Sequence, residues 1–206
     1  MSDNLYSEDS DKAETPPIEF TIEKPPVDLQ ELENGFSVDD SLVYLIGTID
    51  EFTLCDIIVK CRTVLNNRTE DQKENPINLV IDSFGGCAFS ALGIIDYMEN
   101  LDVKVNTICR GKAMSAGALI LTGGTGTRYA AKRSTIMLHQ GMGTSSGKIG
   151  DLRSTAKHYT KMDEMIGQVL EEHTKQSAIW WTDNTAHDKY FTAEEAISVG
   201  LIDEIG

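Results

Sequence analysis

Between residues 42 and 138, short apolar runs alternate with longer helix-like stretches, and this alternation narrows the fold more than any other feature of the chain. Leu42-Val43-Tyr44-Leu45-Ile46-Gly47 is an apolar run ended by glycine, as a buried strand would be. A helix is expected from about Asp50, with Phe52, Cys55, Ile57, Ile58 and Leu65 on one side. Asn66 through Pro76 is polar and reads as a loop. Ile77–Ile81 is a second strand running into Asp82-Ser83-Phe84-Gly85-Gly86, and Ala88 to Glu99 is helical by composition. Val103–Ile108 is a third strand and Met114 to Leu121 a small-residue helix, while Tyr129-Ala130 and Ser134–Leu138 supply more strand. Strands and helices at this spacing imply crossover units around a mainly parallel sheet, an α/β fold.

The ends of the chain differ in character. Residues 1–40 hold twelve acids and two bases, a net −10 out of −15 for all 206 residues, and four of the five prolines. Such a stretch buries little and is expected to be an acidic, flexible N-terminal tail ahead of a domain over 41–206. Residues 142–149 are Gly/Ser-rich, and a long helix is expected from near Asp151 to about Lys175. Its apolar positions Leu152, Ala156, Tyr159, Met162, Ile166, Val169 and Leu170 keep a three-to-four spacing. At that length the helix suits a projecting element that buries its stripe on another subunit.

An excess of acids this large argues against nucleic-acid or anionic-membrane partners, which need a basic surface. No run approaches the roughly 18 apolar residues of a membrane span, and the first residues do not read as a secretory or transit signal, so the protein is expected to be cytoplasmic. Cys55, Cys61, Cys87 and Cys109 show no paired spacing, which argues against a disulfide framework or zinc site and favours small buried thiols.

Glycine and a reactive side chain meet just after a strand in three places. Gly85-Gly86 can turn sharply and leave backbone N–H groups uncovered, as an oxyanion hole requires, although a plain tight turn has the same composition. Ser115 sits among Ala113, Ala116, Gly117 and Ala118 near a helix start, where small neighbours would let a carbonyl approach. A packing helix explains that composition equally, and Ala113 occupies the first glycine position of the α/β-hydrolase elbow. His139 ends an apolar strand before Gln140-Gly141, at the rim of the sheet, and an imidazole there could accept a serine proton. An orienting carboxylate could be Asp151, Asp163, Asp183 or Asp188; the residues alone do not choose among them. Asp188 stands before Lys189-Tyr190-Phe191 and the capping pattern Thr192…Glu195.

Taken together, Ile81-Asp82-Ser83-Phe84-Gly85-Gly86, Gly111 to Ala118, Ile136-Met137-Leu138-His139-Gln140, and His187 to Ala196 followed by Gly200-Leu201-Ile202-Asp203 resemble the caseinolytic serine protease ClpP family in order and spacing. The resemblance covers roughly residues 40 to 206 and implies a ClpP/crotonase-like fold with a projecting handle helix, the handle being about 142–176. It implies a serine endopeptidase with Ser115 as nucleophile, His139 as base and Asp188 as orienting acid. The oxyanion hole would be the N–H groups of Gly86 and Ala116, with Gly85 shaping the turn. It further implies heptameric rings, paired into a homo-oligomeric tetradecamer, acting on unfolded polypeptides or peptides, with a possible AAA+ Clp ATPase partner and no metal or organic cofactor. Departures from the family's usual residues are Phe84, Ala116, Gly141, His187, and Asn78 with Val80. A non-catalytic ring subunit and, more remotely, a crotonase-like acyl-CoA enzyme are the competing readings on related folds.

Overall fold

The computed structural model describes residues 29–206. Leu29–Asn34 forms α1 and Phe36–Ser37 forms β1; β2 (Leu42–Ile49), α2 (Glu51–Asn66), β3 (Ile77–Gly86), α3 (Ala88–Glu99), β4 (Val105–Met114) and α4 (Ala116–Thr122) follow. β5 (Arg128–Ala130) and β6 (Thr135–Leu138) lead into α5 (Ile149–His173), then α6 (Ala178–Asn184), β7 (Lys189–Phe191), α7 (Ala193–Val199) and β8 (Glu204–Ile205). The α/β expectation holds. The strands make one sheet in the order β1-β2-β3-β4-β5-β8, with β6 paired to β4 and β7 paired to β6. All pairs are parallel except β1 with β2 and β6 with β7.

The sheet forks at β4. Thr107–Cys109 pairs with β5, whereas Lys112–Met114 pairs with β6. Between them Gly111 takes φ +98°, and Arg110–Lys112 bulges while a single β3 residue, Asp82, passes opposite. Asp82 holds the bulge: its Oδ1 accepts the Lys112 backbone N–H at 3.3 Å and pairs with Lys112 Nζ at 2.7 Å. Extra residues in one strand bend it, and here the two extra ones steer the end of β4 towards a different neighbour.

Local chemistry explains most element ends. α2 starts at a capping box, in which Asp50 accepts the Thr53 N–H and Thr53 accepts the Asp50 N–H. The Thr192–Glu195 box caps α7 as the pattern requires, and Gly200 ends it at φ +87°. The buried face of α2 is Ile57, Cys61 and Val64; Phe52 and Cys55, expected inside, are exposed. The i, i+4, i+7 set points at the sheet, and the Asp50 cap fixes the rotation that leaves Phe52 outside. Residues 1–28 of the expected acidic tail lie outside the described residues. Residues 29–40 differ from it, since they contain α1 and β1, with Phe36 opposite Val43 and packed on the core. α5 buries only Met162, Gly167 and Leu170, all in its second half.

The C-terminal elements are tied down by Arg128. Its guanidinium grips both oxygens of Asp203 (2.6 and 2.9 Å), and its Nη1 donates to the carbonyls of Gly200 at 2.9 Å and His173. One side chain thereby joins β5, the end of α5 and the exit from α7. Hydrogen bonds from the Arg128 side chain are also the main reason that the Asp203 carboxyl lies below its ordinary value. A depressed carboxyl stabilises the fold fully above the unfolded value near 4, and this stabilisation fades as pH falls through the lower folded value. Arg128→Ala should therefore cost about 2–3 kcal/mol at neutral pH in chemical denaturation, and the gap from wild type should narrow below about pH 4.

Candidate active site

The fork in the sheet brings the sequence-expected groups together. β4 ends beside β6 with Met114 opposite Met137, and the Ser115 N–H donates to the Met137 carbonyl at 2.8 Å. His139 follows two residues later. Its Nε2 lies 2.9 Å from Ser115 Oγ, within hydrogen-bond reach. Ser115 itself sits at φ +52°, ψ −121°, a conformation that costs a non-glycine residue about 1–3 kcal/mol. The strain follows from the layout: the chain leaves β4 at Met114 and enters α4 at Ala116, so one residue must make the whole turn.

The first of the two glycines lies against this turn. A Cβ on Gly85 would meet the Met114 carbonyl oxygen at 2.6 Å and Ser115 Cβ at 2.7 Å. Gly86 abuts the β2 backbone, where a Cβ would fall 2.1 Å from the Ile49 carbonyl oxygen. The Gly85 N–H is already engaged, donating to Ser83 Oγ at 2.9 Å, while Ser83 Oγ donates to the Gly47 carbonyl at 2.5 Å. Ser83 is wholly buried and holds the glycine turn in place, a positioning role that the sequence analysis missed. A hydroxyl two residues before a glycine pair at a strand end was the available signal. Ala116, the first residue of α4, has no intrahelical acceptor for its N–H.

Asp188 enters by register. β7 runs antiparallel to β6 with Leu138 opposite Lys189, so His139 and Asp188 each stand one residue beyond that last pair. The Asp188 carboxylate nevertheless accepts a long hydrogen bond from Tyr190 Oη (3.4 Å), and no hydrogen bond links it to His139. Asp163, another candidate, accepts from Gln140 Nε2 at 3.5 Å. Ser115 and His139 are thus joined, while Asp188 lines the same cavity with its carboxylate bonded to Tyr190.

A cavity of about 670 Å³ holds these groups, lined by Gly86, Ser115, Ala116, His139 and Asp188 together with apolar side chains such as Leu119 and Met162. Its floor reaches Trp181 on α6, whose indole N–H donates to Thr174 Oγ1 at 2.9 Å. Other nucleophiles are less well served. Burial raises the Cys61 thiol to about 12 and the Cys109 thiol to about 11, which holds both protonated. Cys87 lines the cavity without a hydrogen bond to any base. Among the described residues no group of three or more His, Cys, Asp or Glu could hold a metal, and no helix is long and apolar enough to cross a membrane.

A family model described as Clp protease matches residues 37–206. The chain belongs to the Clp protease family. The resemblance carried by its motifs therefore holds at the level of the family, and membership makes this chain a peptidase by class. The match starts where β1 ends, so Ser37 to Asp40 belong with the matched domain. Two glycines of this Clp protease chain test the geometry. Gly85→Ala and Gly86→Ala should each keep the α/β circular dichroism spectrum yet lower the reaction rate at Ser115 with a fluorophosphonate at least about tenfold, since about 1–3 kcal/mol of strain moves the turn. Unchanged rates would mean that the two glycines do not shape the site.

Proposed function

We propose that this chain is a serine endopeptidase in which Ser115 is the nucleophile, His139 the general base and Asp188 the orienting acid, hydrolysing peptide bonds in unfolded polypeptides or peptides. The observation that carries the reading is the 2.9 Å approach of His139 Nε2 to Ser115 Oγ at a strained strand-to-helix turn. Ser115 Oγ attacks the scissile carbonyl carbon as its proton passes to His139 Nε2. The oxyanion then formed accepts from the N–H groups of Gly86 and Ala116, beside the turn shaped by Gly85. Collapse of the tetrahedral intermediate breaks the C–N bond, and His139 returns the proton to the leaving amine. Water, deprotonated by the same imidazole, attacks the acyl-enzyme and releases the second product with Ser115 restored. For full rate, Asp188 swings from Tyr190 to the His139 Nδ1–H and holds the imidazole tautomer.

Assembly belongs to the same reading. The first half of α5 is exposed, with Ile149 at 71% and Tyr159 at 38%. We propose that residues 142–176 form a handle joining two heptameric rings of this chain, so that access to a closed chamber limits substrates to unfolded chains. A Clp-type AAA+ ATPase would then supply any ATP dependence, and the chain itself would need no cofactor. No specific observation favours the non-catalytic scaffold.

Ser115→Ala should abolish hydrolysis of a short fluorogenic peptide, with a loss of at least about a thousandfold at equal assembly. Asp188→Asn should cost about a hundredfold or more while leaving Ser115 in place. Full activity in Ser115→Ala would overturn the assignment.

A further inference from the structure

We infer that Phe84 is a specificity-determining residue, whose ring forms a subsite for a bulky apolar side chain of the bound peptide next to the scissile bond; this rests on the hydrolytic reading above. Phe84 is 73% exposed yet lines the same cavity as Gly86, Ser115 and His139. A large aromatic left open at a cavity mouth is a binding surface more readily than packing, because its apolar area gains nothing until something covers it.

Its position is fixed on both sides. Ser83, the preceding residue, is wholly buried and bonded to Gly47 and Gly85, and the following glycine is wedged against Met114 and Ser115. The ring is held as well: Lys112 Nζ lies 4.4 Å from its centroid and is kept there by Asp82 at 2.7 Å. Contacts to a fixed ring cost little ordering entropy on binding. Because Asp82 already matches the Lys112 charge, the mouth selects for apolar bulk and gives an acidic side chain no advantage.

Phe84 lies two positions before Gly86, about 7 Å along an extended strand. That is one side-chain position from a carbonyl held at Gly86, so the subsite serves a residue flanking the bond to be cut. It is distinct from the buried floor at Leu119, Met137 and Leu170, which takes a second side chain. Phe89 (51% exposed) and Met142 (88% exposed) extend the apolar mouth. The preferred substrates are therefore peptides with bulky apolar residues at two positions around the cleaved bond.

The test is a panel of fluorogenic peptides carrying Phe, Leu, Gly or Glu at one position at a time on either side of the cleaved bond, hydrolysed by wild type, Phe84→Ala and Phe84→Tyr assembled as full chains. Wild type should prefer Phe and Leu over Gly and Glu at two positions. Phe84→Ala should lose about tenfold of the Phe-over-Gly ratio in kcat/KM at one of them, mainly through KM, and Phe84→Tyr should restore it. A loss equal across the panel, or no loss, would overturn the subsite. Fluorophosphonate labelling of each variant separates the two levels. A wild type that neither labels nor cleaves would overturn the hydrolytic reading and the subsite with it. Labelling of Phe84→Ala slowed by the same factor as its hydrolysis of every peptide in the panel would assign Phe84 to the turn instead and overturn the subsite.

Discussion

The site depends on one backbone hydrogen bond, from the Ser115 N–H to the Met137 carbonyl at 2.8 Å. It locks the end of β4 to β6, and the register then dictates where the reactive groups lie. Ser115 must turn at once into α4, and His139, two residues past Met137, must meet it. Pairing β4 wholly with β5 would leave β6 without a partner on that side and His139 without its serine. The Arg110–Lys112 bulge, held by Asp82, is what frees the second half of β4 for β6. Asp82 is thus as much a part of the site's construction as the glycines are, although it touches no reacting atom.

The same dependence explains the strain at Ser115. Backbone strain persists only where the surroundings over-determine it. Here β3 and β6 fix the strand on both sides, and α4 is buried along its whole length, so the turn cannot relax. Gly85 lets β3 come within contact of that turn, Gly86 lets it pass close to β2, and Ser83 holds Gly85 there.

Much of this was legible in the residues. Apolar runs marked β2, β3, β4 and β6 because buried parallel strands need unbroken hydrophobicity. Ser115, His139 and Gly86 each stood out through a reactive or permissive residue at a strand end. What was not legible was pairing. The fork depends on a bulge, and Arg110-Gly111-Lys112 by itself does not say which strand lies alongside. β4 accordingly runs to Met114, beyond the end expected at Ile108. The exposed side of α2 was misjudged for a similar reason: its apolar residues cover more than one face, and the cap at Asp50 decides which face turns inward. α6 passed unnoticed because Ser177 to Asn184 is too short for periodicity to speak, although it supplies the buried Trp181. Asp188 was selected by resemblance; register with β6 brings it to one residue beyond the last pair, Leu138 with Lys189, but the Tyr190 hydroxyl that holds its carboxylate is something no spacing reveals.

The most direct measurement is to treat the folded chain with a fluorophosphonate and locate the adduct by peptide mass mapping. A single adduct on Ser115, abolished by prior unfolding, is the predicted result, because among the described residues only at that serine do a strained turn and an imidazole acceptor coincide. An adduct on another serine, or a folded and assembled chain that takes up none, would contradict the assignment of Ser115 as the nucleophile.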